Sequence, residues 1–174
     1  MSPSLDLRSF VRDIPDFPAP GILFRDITPL LASPAAFEEA VTAMAWPFRA
    51  EPPDKVLGIE ARGFMFGAAI ARELGVGFVP VRKPGKLPRE TLRVSYGLEY
   101  GKDTLEIHAD ACARGERVLI ADDVLATGGT ALAAAELADL LGAEVAGMTF
   151  FIELEGLKGR ARLGSRRLHS VLLL

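Results

Sequence analysis

One cysteine and two histidines are the only thiol and imidazole side chains in this 174-residue sequence. The single Cys112 excludes an intrachain disulfide and any cysteine-based metal cluster. Such sparing use of cysteine suits a reducing compartment, and a cytoplasmic location is expected. His108 and His169 have no partner at metal-ligand spacing and read as structural. Long hydrophobic runs are missing too: none approaches the roughly 20 residues that a membrane-spanning helix needs. The N-terminal MSPSLDLRSFVRDI lacks an apolar h-region, so no secretory leader is expected. Positive charge is scarce, with 20 basic against 23 acidic residues and a net charge of −3. That balance argues against a broad nucleic-acid surface. It leaves room for one local anion site, whose field depends on nearby groups. Repeats and low-complexity linkers are absent, and G-x-x-x-x-G-K-[ST] occurs nowhere, so there is no Walker-type loop.

What the chain does contain is the raw material of a globular protein, 49% hydrophobic and 25% charged. Its length fits one domain over 1–174 with a proper core. Pro15, Pro18, Pro20 and Pro29 punctuate the beginning, so about 1–33 reads as an extended arm or lobe rather than a long helix. Ser33-Pro34 supplies an N-cap and first helical position, and Phe37, Val41 and Met44 follow on one apolar face until Pro47. VLGIE, residues 56–60, reads as a buried strand. Phe66, Ile70 and Leu74 mark a helix ending at Gly75, and 76–81 a second strand. RKPGKLPRET is basic and rich in breakers, which predicts a mobile loop. TLRVSY and DTLEIH, on either side of GLEYGK, predict an antiparallel hairpin. Residues 118–121 form a central strand. Ala133, Leu137 and Leu140 or Leu141 give the next helix its buried face before Gly142. EVAGMTFFI and SVLLL supply the last strands. Strands alternating with helices predict an α/β fold, a central parallel sheet flanked by helices. In such sheets ligands bind at the carboxyl ends of the strands.

The stretch VLIADDVLATGGTA, residues 118–131, places Asp122, Asp123 and a glycine turn at such an end. Thr127-Gly128-Gly129-Thr130 leads straight into a helix, so backbone N–H groups converge on one point, where the helix dipole adds about half a positive charge. Glycine lets an anion approach the backbone, and the threonine hydroxyls are further donors. The result is a cradle for a monophosphate. Acids beside a bound phosphate repel it unless they contact something else. Ribose hydroxyls donate hydrogen bonds that carboxylates accept. Together the two halves describe a site for a ribose 5-phosphate. Alone, a glycine turn before a helix is an ordinary turn and two acids at a strand end a solvated edge; the full string is far more specific.

VLIADDVLATGGT closely resembles the phosphoribosyl-diphosphate motif of type I phosphoribosyltransferases, in the LATGGT form of their adenine-specific branch. PDFPAPGILFRDITPLL resembles the N-terminal base-binding segment of that family, and GIEARGFMFG its pyrophosphate loop. RKPGKLPRET with YGLEYGKDTLEIHAD resembles its flexible catalytic loop, over 82–108, and ELEGLKGRARL its C-terminal segment. The likeness spans roughly residues 10–165, with the motifs in order.

The resemblance implies transfer of 5-phosphoribosyl from its diphosphate donor to adenine, giving AMP and pyrophosphate, with Mg2+ carried largely by the donor's own oxygens. Mapped onto this chain, Asp122 and Asp123 hold the ribose hydroxyls, and Ala126, Thr127, Gly128, Gly129 and Thr130 cradle the 5′-phosphate. Arg62, Lys83 and Lys86 meet the diphosphate, and Glu99 is the catalytic acid/base, with Tyr100 helping to close the site. Leu23, Phe24, Arg25 and Leu154 form the adenine slot under the N-terminal hood. The same resemblance implies a cis peptide at Glu60-Ala61 and a homodimer, although no heptad or apolar stripe demonstrates the latter. Two alternatives stay open: another base, such as hypoxanthine, guanine, xanthine or orotate, and a regulator that binds the donor without chemistry.

Overall fold

A computed structural model of the chain describes residues 5–98 and 101–174. The proline-punctuated beginning is more structured than an arm. After a 3-10 turn at Leu7–Phe10, strands β1 (Arg12–Pro15) and β2 (Leu23–Asp26) pair antiparallel into a small hood. Two helices follow, α1 (Thr28–Ala32) and α2 (Pro34–Ala45). The prolines fit because Pro15 ends a strand and Pro29 and Pro34 sit in first helical turns, where a missing N–H costs nothing. Ser33 caps α2 as expected, its hydroxyl accepting from the Ala36 amide at 3.4 Å. Ser33→Ala is expected to cost about 0.5–1 kcal/mol, the weak end of the capping range given that long bond. In a thermal melt this reads as a loss of about 2–3 °C.

The main sheet is built from β3 (Lys55–Ile59), β4 (Gly77–Val81), β7 (Arg117–Leu125), β8 (Glu144–Glu153) and β9 (Leu168–Leu173). All neighbours are parallel, in the order β4-β3-β7-β8-β9. Helix α3 (Gly63–Leu74) links β3 to β4, and α4 (Gly129–Leu141) links β7 to β8. Gly75 and Gly142 end these helices in the left-handed conformation, as their positions predict. Successive residues of a strand face opposite sides, so the sheet separates two cores. Leu57, Val118, Ile120, Ala134 and Leu137 belong to one; Val56, Leu119, Phe66, Ile70 and Phe151 belong to the other. Both faces of β7 are covered, which is why its start reads as an unbroken apolar run. On the second side Phe66 stacks on Phe151 at 5.7 Å between ring centroids.

Strands β5 (Thr91–Leu98) and β6 (Gly101–His108) form the expected hairpin, but its pairing runs on to Leu98↔Gly101, well into GLEYGK. The hairpin docks on the edge of β4: the Arg82 and Glu106 backbones exchange hydrogen bonds of 2.9 and 2.7 Å. The basic loop is therefore anchored at its start. A short helix, α5 (Gly159–Arg162), lies between β8 and β9. Among the described residues no helix is long and apolar enough to cross a membrane.

Candidate active site

The chain order reverses between β3 and β7: β3 feeds β4 on one side, and β7 feeds β8 on the other. Such a switch point leaves a crevice beyond the carboxyl ends of the two strands. Here the crevice is an interruption in the ladder. The last β3–β7 pair is Gly58↔Ala121, whereas β7 continues beside β8 through Asp122↔Phe150, Val124↔Ile152 and Leu125↔Glu153. Asp122 and Asp123 thus lie inside β7, not beyond its end, on an edge that β3 leaves open. A cleft of about 370 Å³ occupies that edge, lined among others by Arg62, Lys83, Asp122, Asp123 and Thr130.

Asp123 is 4% exposed, and its Oδ2 lies 2.8 Å from Arg62 Nε. No N–H is directed at that oxygen, so it is buried without a hydrogen-bond donor. Asp122 Oδ1 accepts the Asp123 amide at 2.9 Å, in place of the absent β3 partner. Burial, together with the Asp123 carboxylate, pushes the Asp122 pKa well above the ordinary carboxylate value. Burial raises that of Asp123 as well, against the pull of Arg62. The pair is short of donors and of positive charge, the environment that hydroxyl donors or a cation would relieve.

Next to the acids, Ala126 to Gly128 turn the chain into α4. Gly128 is in the left-handed conformation at φ 79°, and no side chain caps the helix. Its first amides therefore face a separate hollow of about 60 Å³, lined by Asp122, Val124–Ala131 and Phe150. That is space for several water-sized atoms, enough for one phosphoryl group. Gly159 of α5 closes the turn from behind. A Cβ on Gly128 would stand 2.7 Å from the Gly159 carbonyl oxygen, and one on Gly159 only 2.2 Å from the Ala126 carbonyl oxygen.

The other expected residues distribute as follows. Arg62 sits at the N-cap of α3, after a cis peptide at Glu60-Ala61, and its guanidinium lies 5.2 Å over the Phe24 ring. Phe24 in turn meets Phe17 edge-on at 5.1 Å. Leu23 is exposed on β2, and Arg25 pairs with Asp13 while its buried Nε has no acceptor. Leu154 donates its amide to the Leu125 carbonyl at 2.9 Å, at the margin of the cradle. Lys83 lines the cleft and pairs with Asp103. Lys86 is exposed, and its carbonyl accepts from Arg82 at 3.2 Å; its side chain does not line the cleft. Glu99 and Tyr100 lie outside the described residues.

Sequence reasoning missed four participants. Glu60 accepts from Arg82 through both oxygens, at 3.2 and 3.0 Å, and from the Lys83 amide at 2.9 Å. Arg82 and that amide hold its carboxyl below the usual range. Tyr96 and Asp103 line the cleft from the hairpin, and Gly159 buttresses the cradle. Their signals were weak. Tyr96 fits an ordinary apolar strand position, Asp103 a strand flank, and Glu60 the end of VLGIE.

Known proteins share this arrangement. The model of the phosphoribosyl transferase domain matches residues 26–163. An adenine phosphoribosyltransferase of Methylococcus capsulatus is 58% identical over 166 residues, covering 95% of this chain and 97% of that relative. The crystal structure of adenine phosphoribosyltransferase from Rhodothermus marinus superposes with a TM-score of 0.92 at 53% identity, covering 97% and 96% of the two chains. The Saccharomyces cerevisiae enzyme, crystallised with an imino-altritol bisphosphate and adenine, superposes at 0.90 with 41% identity over 95% and 96%. The likeness runs through the hood, the switch-point crevice and the cradle alike, and the chain belongs to the phosphoribosyltransferase family, on its adenine phosphoribosyltransferase branch.

Proposed function

We propose that the protein transfers 5-phosphoribosyl from phosphoribosyl diphosphate to adenine, forming AMP and pyrophosphate in purine salvage. The single observation that carries this reading is the open edge of β7, which sets two adjacent carboxylates, one with a buried oxygen that has no donor, beside an uncapped helix N-terminus. The cradle from Ala126 to Thr130 takes the 5′-phosphate, and Asp122 and Asp123 accept the ribose hydroxyls. Loss of diphosphate leaves an oxocarbenium-like ribosyl ring, and both carboxylates lie where that positive charge develops. Arg62 contacts Asp123 through Nε, so its two terminal amino groups stay available for the diphosphate. Lys83 approaches from the far side of the cleft, and Lys86 joins when residues 83–100 close and exclude water. Glu99 handles the proton of the adenine imidazole, and Tyr100 assists closure. Leu23, Phe24, Arg25 and Leu154 hold the base.

Magnesium fits these residues. It favours hard oxygen ligands, keeps several waters, and binds through one or two carboxylates plus substrate phosphates. Asp122 and Asp123 offer such oxygens at the cleft, while among the described residues no group of three His, Cys, Asp or Glu builds a dedicated site. Held by those carboxylates and the donor's own oxygens, the ion would supply charge neutralisation to the leaving diphosphate. The enzyme works as a homodimer in the cytoplasm, with 1–174 as one catalytic domain.

The test is to incubate the protein with phosphoribosyl diphosphate, Mg2+ and each nucleobase in turn, then separate the nucleotides. AMP from adenine alone is the expected result. Product from another base overturns the adenine assignment and keeps the donor site. Donor binding without any product identifies a sensor instead.

A further inference from the structure

Asp103 is an unfavourable neighbour for a polyphosphate, because a fixed carboxylate repels one. It nevertheless lines the cleft, from β6 directly opposite Tyr96 in the hairpin register. Its Oδ2 pairs with the Lys83 ammonium and accepts the Tyr96 hydroxyl at 3.1 Å. Its Oδ1 accepts the Thr104 amide at 2.8 Å, which fixes the carboxylate plane. Tyr96 OH in turn accepts from Thr130 Oγ1 at 3.3 Å. Thr130 is the last residue of the phosphate cradle. An unbroken chain of polar contacts therefore runs from the cradle through Tyr96 and Asp103 to Lys83. Lys83 Nζ also lies 6.0 Å from the centre of the Tyr96 ring, so the same tyrosine steadies the ammonium from a second direction.

We propose that Asp103 is a positioning residue, which aims Lys83 at the diphosphate of the donor and sets its distance from the 5′-phosphate cradle. The inference rests on the function proposed above. A lysine side chain is a long flexible stem carrying three N–H donors. Asp103 takes one of them and leaves two for the diphosphate. Holding the stem before the donor arrives removes ordering entropy from the binding step. The carboxylate is not wasted charge, since its partners bind it whatever the donor does. Burial disfavours the charged forms of both residues, but their mutual contact outweighs it, keeping Lys83 protonated and Asp103 ionised.

Asp103→Asn keeps the shape and one of the two acceptor oxygens and removes the charge. It is expected to raise the donor KM about tenfold, the scale of one charge-assisted contact. The adenine KM should stay as it is. Calorimetry with inorganic pyrophosphate should show the same tenfold weakening. In a Lys83→Met background the Asp103→Asn change should add almost nothing, because the two residues act as one unit. An unchanged or lower donor KM would overturn the proposal; a lower one would mean that Asp103 competes with diphosphate for Lys83. Fully additive effects in the double variant would also overturn it. Wild-type protein that makes no AMP would sink the proposed function, while pyrophosphate calorimetry would still read the Lys83–Asp103 unit.

Discussion

Asp122→Asn is expected to lower kcat/KM for the phosphoribosyl donor about a hundredfold, the worth of one strong charge-assisted hydrogen bond at the reacting sugar. The same change should raise the melting temperature. Asp122 is pushed up in pKa by burial and by its neighbour Asp123, so its ionised form is a liability to the folded chain. Asparagine keeps an oxygen for the Asp123 amide and discards the like charge. Relief of about 1 kcal/mol, modest because the residue is part-exposed, corresponds to about 2–4 °C for a chain of this size. The pH dependence has a definite sign. A carboxyl whose folded pKa is raised binds protons more tightly in the folded state than in the unfolded one. Between the ordinary value of about 4 and the raised folded value, stability therefore falls as pH rises. Melting curves across the mildly acidic range should show that slope flattened in Asp122→Asn. A variant that is inactive but less stable than wild type would refute the reading of the acids as strained for function.

Gly159→Ala is expected to be nearly as damaging to activity without touching any substrate. Its new methyl would stand 2.2 Å from the Ala126 carbonyl oxygen and 3.0 Å from the Gly128 amide nitrogen. Both are backbone atoms of the cradle, so the turn itself has to shift. Displacement of a binding group by about 1 Å costs on the order of a hundredfold, and the loss should appear mainly in the donor KM. Gly156→Ala, three residues earlier, is the control: a methyl there meets nothing within 4 Å. Kinetics with varied donor would show the contrast, and equal behaviour of the two variants would remove Gly159 from the site.

The parallel sheet was readable because its evidence is local. Apolar runs such as Val118–Ala121, helix faces such as Phe66, Ile70 and Leu74, and the stops at Gly75 and Gly142 all lie within a few residues of one another. The phosphate cradle was readable for the same reason, since turn, glycines and helix start are contiguous. What stayed hidden depends on distant parts of the chain. Tyr96 and Asp103 become partners only through the hairpin register, and Lys83 joins them from another loop. Gly159 matters because α5 folds back on the β7–α4 turn, more than 25 residues away in sequence. The β1–β2 hood was masked by prolines that stand at a strand end, in the connection between the two strands and in the helical turns that follow. The extra length of β7 could not be inferred either, because polar residues in a strand look like its end unless the neighbouring strand is known.

The early stop of β3 has a geometric consequence for how this site can change. Two or three more paired residues on β3 would zip the free edge of β7 shut and fill the cleft with main chain. The width of the pocket is thus dictated by where one strand ends and by the short Glu60–Arg62 connection to α3. An insertion or deletion in those few residues would resize the chamber at a stroke, whereas substitutions along its walls would only redecorate it.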